Sequence, residues 1–284
     1  NWYHAVSTMH GSFLLLTLAG ADEFLNDRDI FAILFGALVH DVEHTGNNND
    51  FEVKNNTSLA QKYSRSVLES HSVSETVSML ENPNLDVLKN VNDEDRGYIM
   101  NFMEEIILAT DVAHHGETTE SLRNLVLSQH DDTDSIKDPF FNKEDRESRL
   151  LLGRAITHAA DISNPVHAKF EVAKDWCCRV SVEFSLQAMN EKKNGLPVTP
   201  YMDGLETGVD IAKMQINFML FVVNPFFKVL AQVLPRAICL AENAIVNTDC
   251  YREILATHLL TEEKNDKSDS QHIFIFMMKE TCWR

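Results

Sequence analysis

Gly36-Ala37-Leu38-Val39-His40-Asp41-Val42-Glu43-His44-Thr45-Gly46 carries an apolar run directly into closely spaced side chains that can bind metal. The segment from Ile30 to Val39 reads as a buried helix, so His40 and Asp41 would leave it at the wall of a cavity and not in bulk water. Imidazole and carboxylate groups in such a place are costly unless something satisfies them. A divalent cation does so, and one carboxylate can bridge two cations, an arrangement suited to phosphoester cleavage. A helix ending in a polar cap is the plainer reading of a His-Asp pair alone, and the rest of the chain argues against it.

Three other segments supply similar groups. Ile156-Thr157-His158-Ala159-Ala160-Asp161-Ile162-Ser163-Asn164-Pro165 is again an apolar helix, and it delivers Asp161 just before a turn that Pro165 enforces. Tyr3-His4-Ala5 adds an imidazole, and Val67-Leu68-Glu69-Ser70-His71 adds a carboxylate and another imidazole. His4, His40, Asp41 and Asp161 form a nitrogen and oxygen set without thiolate, which suits a hydrolytic zinc, magnesium or manganese site better than a structural zinc.

The 284 residues suffice for a large core, and the long periodic segments predict an all-α fold, one multi-helix domain over 1–284. Asp29 is expected to cap the helix leading to His40, and Phe51 to Tyr63 to form the next helix. Ser66 opens the helix of Glu69 and His71, and Ile99, Met103, Ile106 and Thr110 recur on one helical face. Gln129 to Phe141 reads as a surface loop, followed by a helix from Glu147 to Ala160. A long helix from Phe170 to Asn190 carries a stripe of Trp176, Val180, Phe184 and Gln187. After the loop from Lys192 to Gly204, the expected helices are Asp210 to Val223, Pro225 to Ala244 and Tyr251 to Leu260.

A formal charge of -18 argues against nucleic acid, whose phosphates need clustered Lys and Arg. The same acidity means that a phosphate ester substrate needs local positive charge, which bound metals supply. Five cysteines, Cys177, Cys178, Cys239, Cys250 and Cys282, are odd in number and lack metal spacing, which predicts a reduced, cytoplasmic setting. No apolar run is expected to span a membrane, so no membrane contact is expected from this domain.

The motifs Asn1-Trp2-Tyr3-His4-Ala5, His40-Asp41-Val42-Glu43-His44-Thr45-Gly46, Leu108-Ala109-Thr110-Asp111, His158 through Pro165, and Lys213-Met214-Gln215-Ile216-Asn217-Phe218 stand in one order. In this the chain resembles the catalytic domain of the class I 3',5'-cyclic nucleotide phosphodiesterases, of the HD metal-hydrolase type, and within them a protozoan type-C member. The resemblance implies hydrolysis of cAMP, cGMP or both to the 5'-monophosphate by hydroxide activated by two metals. It implies that His4, His40, Asp41 and Asp161 hold the tighter ion, zinc. Asp41 would share a second ion, magnesium or manganese, whose waters are oriented by His44, Glu69 and Thr110. Gln215 would hydrogen-bond the purine edge and Phe218 stack on its ring, with Val180 and Phe184 on the apolar side and Asn164 reaching the base. Gln215 and Phe218, three apart, share a helical face.

The resemblance places a proton-donating histidine immediately before Asn1, so the sequence is expected to be a trimmed piece of a longer protein with further domains; a homodimer is compatible with it. Ser7, Glu43 and Thr45 depart from the commonest residues of the pattern, while His10, His114, His130, His167, His258 and His272 read as ordinary histidines. The rival readings are another HD-type nucleotide phosphohydrolase and a catalytically inactive helical binding module.

Overall fold

The computed structural model describes residues 1–128 and 139–262, and among them every regular element is helical. The α-helices are α1 (Trp2–Thr17), α2 (Asp27–Val39), α3 (Asn49–Lys54), α4 (Ser58–Lys62), α5 (Val67–Glu81), α6 (Asp93–Leu108), α7 (His115–Ser128), α8 (Arg146–Asp161), α9 (Phe170–Lys193), α10 (Gly208–Phe218), α11 (Asn224–Val233) and α12 (Ile238–Glu262). They divide into two compact units. The first holds Asn1–Thr45, Ser58–Ser163 and Phe226–Cys239; the second holds Gly46–Thr57, Asn164–Pro225 and the chain from Leu240 onward.

In the first unit α1, α2, α6 and α8 pack on one another, with α5 against α6 and α7 against α8. Small residues allow the close approaches. A Cβ on Gly153 of α8 would stand 2.8 Å from Phe102 Cε1 on α6, one on Gly36 of α2 would stand 2.9 Å from Ile106 Cδ1, and one on Gly11 of α1 would stand 3.2 Å from Ala160 Cβ. Phe102, Met103, Ile106 and Ile107 of α6 are fully buried between these helices, each worth roughly 1.5–3 kcal/mol by burial of its apolar surface. This stack fixes the ends of α2 and α8, from which His40 and Asp161 emerge.

Asp29 does not cap α2. The cap is Asn26, whose Oδ1 accepts from the Asp29 amide at 3.0 Å while Asp29 Oδ2 accepts from the Asn26 amide at 3.0 Å. This reciprocal box leaves Asp29 fully buried and ion-paired to Arg149 Nε at 2.9 Å. The expected Phe51 to Tyr63 helix breaks into α3 and α4, because Asn56 turns left-handed (φ 49), a conformation asparagine tolerates. Phe141, read as loop surface, is buried against Phe24 with ring centroids 6.0 Å apart; residues 129–138 of that expected loop lie outside the described residues.

In the second unit the core gathers Cys177, Leu205, Ile211, Ala212 and Tyr251, with Phe170, Phe184, Met214 and Ile216 packed against it. The buried residues of α9 are Ala173, Cys177, Cys178, Ser181, Gln187, Ala188 and Glu191; of the expected stripe Gln187 is buried and Phe184 packs on the core, while Trp176 and Val180 are only half-buried. The loop after α9 is pinned from below. Glu191 accepts from the Thr199 amide (2.7 Å), Thr199 Oγ1 (2.8 Å) and Gln187 Nε2 (3.0 Å), and Gln187 Oε1 accepts from the Asn48 amide at 2.8 Å. Burial alone would raise the Glu191 carboxyl, but these hydrogen bonds hold it below its ordinary range.

The chain does not break at Pro225. A π-helical stretch, Met219–Val223, precedes it and absorbs the missing amide, so the break falls later, at Leu234 and Pro235. Nor does α12 break around residues 247–249. Asn247 Nδ2 donates to the carbonyls of Pro165 (2.8 Å) and His167 (2.9 Å), and Thr248 Oγ1 donates to Ala244, so polar residues left between two expected helices are satisfied inside one. Contrary to expectation, Gly208–Val233 is long and apolar enough to cross a bilayer by length and composition, and 44% of its apolar window is buried within the protein. Cys177, Cys178, Cys239 and Cys250 are free thiols, and Cys282 lies outside the described residues.

Candidate metal centre

His40 is the residue at which α2 stops. Its Nδ1 lies 2.9 Å from the Ala37 carbonyl, which can only accept, so Nδ1 carries the proton and Nε2 presents its lone pair outward from the helix end. That Nε2 is shielded from solvent and makes no hydrogen bond. It faces two carboxylates, Asp161 Oδ1 at 3.3 Å and Asp41 Oδ2 at 3.5 Å. From α1, one turn in from its start, His4 Nε2 reaches the same oxygens at 2.9 Å and 3.5 Å, with its ring edge-on to His40 at 5.1 Å. Thus four residues from three separate helix ends meet.

The electrostatics of this group call for a positive charge at its centre. A lone pair aimed at two carboxylates is unfavourable unless a proton or a metal ion stands between them. Burial would lower the His40 pKa, yet the charges of Asp161 and Asp41 lift it to about 9. Burial would raise the Asp161 carboxyl, but the charge of His40 and the hydrogen bond with His4 hold it well below the ordinary carboxylate range. The donor atoms also have the right spacing. Ligands about 2.0–2.2 Å from a metal lie roughly 3–3.5 Å from one another, and the four nitrogen–oxygen separations here run from 2.9 to 3.5 Å. His4, His40 and Asp41 offer ligand atoms all within 4.8 Å of one another. The residues fit a divalent cation.

Of the residues expected to orient metal-held water, His44 stands exposed in the turn after α2, where its amide bonds the Asp41 carbonyl at 3.1 Å. Glu69 is half-buried in the first turn of α5. Thr110 follows the end of α6 with its hydroxyl donating to the Ile107 carbonyl at 2.7 Å, which leaves its lone pairs to accept.

The residues expected to contact a base lie in the second unit. Gln215 is buried on α10, and Phe218, three residues on, is half-buried at its last position. Val180 and Phe184 lie on α9, which packs against α10; Phe184 stands edge-on to Tyr201 at 5.6 Å. Asn164 opens a short 3-10 turn, Asn164–Val166.

Sequence reasoning gave no role to a buried imidazole pair behind the centre. His158 lies one helical turn before Asp161, its Nε2 is 2.9 Å from His115 Nδ1, and both rings pack on Phe226 at 5.0 and 5.7 Å. Burial drives His158 down to about 4 and lowers His115 as well, so both rings are neutral and one donates to the other. The i to i+3 spacing of His158 and Asp161 was the available signal. His114, by contrast, is a surface histidine paired with Glu117 at 3.4 Å, and His130 and His272 lie outside the described residues.

Residues 1–244 match the model of the 3'5'-cyclic nucleotide phosphodiesterase family. The chain is 33% identical over 238 residues to 3',5'-cyclic-nucleotide phosphodiesterase regA of Dictyostelium discoideum, covering 82% of this chain and 28% of that protein. It is 30% identical over 239 residues to the probable 3',5'-cyclic phosphodiesterase pde-1 of Caenorhabditis elegans, covering 84% and 33%. The chain therefore spans a third or less of these relatives. Among solved structures, the phosphodiesterase domain of the Salpingoeca rosetta rhodopsin phosphodiesterase superposes with a TM-score of 0.86 at 30% identity, over 93% of this chain and 77% of that one.

Proposed function

Because the chain belongs to the 3',5'-cyclic nucleotide phosphodiesterase family, we propose that it hydrolyses cAMP, cGMP or both to the 5'-monophosphate at the centre formed by His4, His40, Asp41 and Asp161. The observation that carries this reading is the buried, unbonded Nε2 of His40, aimed at two carboxylates that also receive His4. Two imidazoles with two carboxylates suit zinc, and Asp41, more exposed than Asp161, would share a second, harder ion such as magnesium or manganese. Such ions supply charge neutralisation on the phosphodiester and acidify a water.

The protein's own residues do the rest. The Ala37 carbonyl fixes the His40 tautomer, and the α2–α6–α8 packing keeps the four ligands converged before anything binds. His44, Glu69 and Thr110 would orient water around the second ion. Gln215 would hydrogen-bond the base edge, with Phe218 stacking on its ring and Val180, Phe184 and Asn164 completing the base site; a side-chain amide can present either its donor or its acceptor, so Gln215 accommodates adenine or guanine. The test is a hydrolysis assay on both cyclic nucleotides with metal content measured on the same samples. Absence of turnover in a metal-loaded protein that retains every domain would refute the reading.

A further inference from the structure

Apart from the centre already described, one more group of metal-competent side chains converges among the described residues of the first unit. Glu43, His71 and Glu75 each offer a ligand atom, and the three atoms lie within 4.8 Å of one another. Glu43 belongs to the turn after α2, two residues beyond Asp41, while His71 and Glu75 are one turn apart on α5. A carboxylate faces each nitrogen of the His71 ring: Glu43 Oε2 is 3.2 Å from Nε2, and Glu75 Oε1 is 3.7 Å from Nδ1.

His71 is 9% exposed, and its Nδ1 is shielded from solvent without a hydrogen bond. A neutral imidazole carries one N–H. One N–H cannot serve both carboxylates, so the neutral ring leaves a buried lone pair close to a carboxylate, which costs free energy unless a second proton or a metal ion offsets it. At 3.7 Å His71 Nδ1 and Glu75 Oε1 are too far apart for a hydrogen bond but close to the roughly 3.3 Å that separates two ligands on a tetrahedral zinc. Lys62 attracts Glu75 through its charge, while its Nζ stands 3.5 Å from Ser74 Oγ and 4.8 Å above the Tyr63 ring.

We propose that Glu43, His71 and Glu75 form an additional divalent-cation site of the zinc type, in which the ion ties the turn bearing Asp41 and His44 to helix α5. Imidazole together with carboxylate selects zinc over magnesium, and waters complete the coordination. Glu43 holds a left-handed backbone conformation (φ 58), so an ion on its carboxylate clamps the turn in the shape it has here. The site needs nothing from the Asp161 centre and does not rest on the proposed reaction.

Zinc titration followed by equilibrium dialysis and elemental analysis tests it, on the wild-type chain and on Asp161→Ala, which removes an anionic ligand from the other centre. Asp161→Ala is expected to keep one zinc per chain, and adding Glu75→Gln or Glu43→Gln to weaken that zinc about tenfold or more. Both glutamates are solvent-accessible, and unchanged circular dichroism would show that the variants fold. A zinc count and affinity unmoved by either substitution, in both backgrounds, overturns the proposal. A wild-type chain that binds a single zinc, lost with Glu75 and indifferent to Asp161, would support this site while sinking the metal-centre reading above.

Discussion

Replacing Gly153 by alanine tests whether the close crossing of α8 over α6 holds the metal centre in register. The new methyl would lie 2.8 and 2.9 Å from Cε1 and Cζ of Phe102, whose ring is fully buried and has nowhere to move. Ordinary carbon contacts are about 3.5–4.0 Å, so α8 must retreat by roughly 0.7 Å, carrying Asp161 at its end. Overpacking of this kind costs about 1–3 kcal/mol, while alanine returns up to about 1 kcal/mol of helix propensity, for a net loss of up to about 2 kcal/mol. Gly97 on α6 is the control: a Cβ there meets nothing within 4 Å, so Gly97→Ala keeps the propensity gain and should stabilise by up to about 1 kcal/mol. In urea, with a slope of about 3 kcal/mol/M for a chain of this size, the two midpoints should separate by roughly 0.3–1 M. Gly153→Ala should also bind metal more weakly. An alanine variant at 153 as stable as the one at 97, with native metal affinity, would refute the packing argument.

Asp41→Asn and Asp161→Ala should each abolish turnover and lower bound metal, since each removes a negative ligand from a site with two; elemental analysis giving full occupancy in either variant would contradict the ligand assignment. Phe218→Ala should raise KM by about 1–3 kcal/mol of lost stacking, and Gln215→Ala should also weaken substrate binding, both without change in metal content; a wild-type KM in the Phe218 variant would return that ring to the core. For His158 the folded value of about 4 lies below the ordinary 6.5, so between these pH values the unfolded chain takes up a proton that the fold refuses. Stability contributed by the neutral ring is thus complete above pH 6.5 and falls by about 3 kcal/mol as pH drops to 4. His158→Gln should flatten that part of the stability–pH curve, and denaturation series with identical slopes in the two proteins would count against the buried neutral pair.

The all-helical fold and the convergence of His4, His40, Asp41 and Asp161 were legible because both depend on local signals. Apolar periodicity marks α2 and α8, and each delivers its ligand where the helix must stop. The misplaced boundaries share a different cause. Asn247 and Thr248 look like a break until the carbonyls of Pro165 and His167 are seen to accept from Asn247, and the π-helical stretch before Pro225 has no sequence signature of its own. The face of α9 was read correctly at Gln187 and Phe184 but not at its start, where the buried side is lined by alanine, cysteine and serine while bulky Trp176 lies half-exposed beneath Arg179. Pairings across long separations, such as His115 with His158 and Glu43 with His71, depend on how helices stack and leave no mark in the spacing of either partner.

The most direct test is release of 5'-monophosphate from cAMP and cGMP by the protein with all its domains, stripped by chelator and then given zinc and magnesium, in parallel with its Asp161→Ala variant. Chelation should abolish activity, restored metal should recover it in the wild type, and the variant should stay inactive. Turnover that survives chelation, or that returns equally in Asp161→Ala, would contradict the assignment of catalysis to this centre.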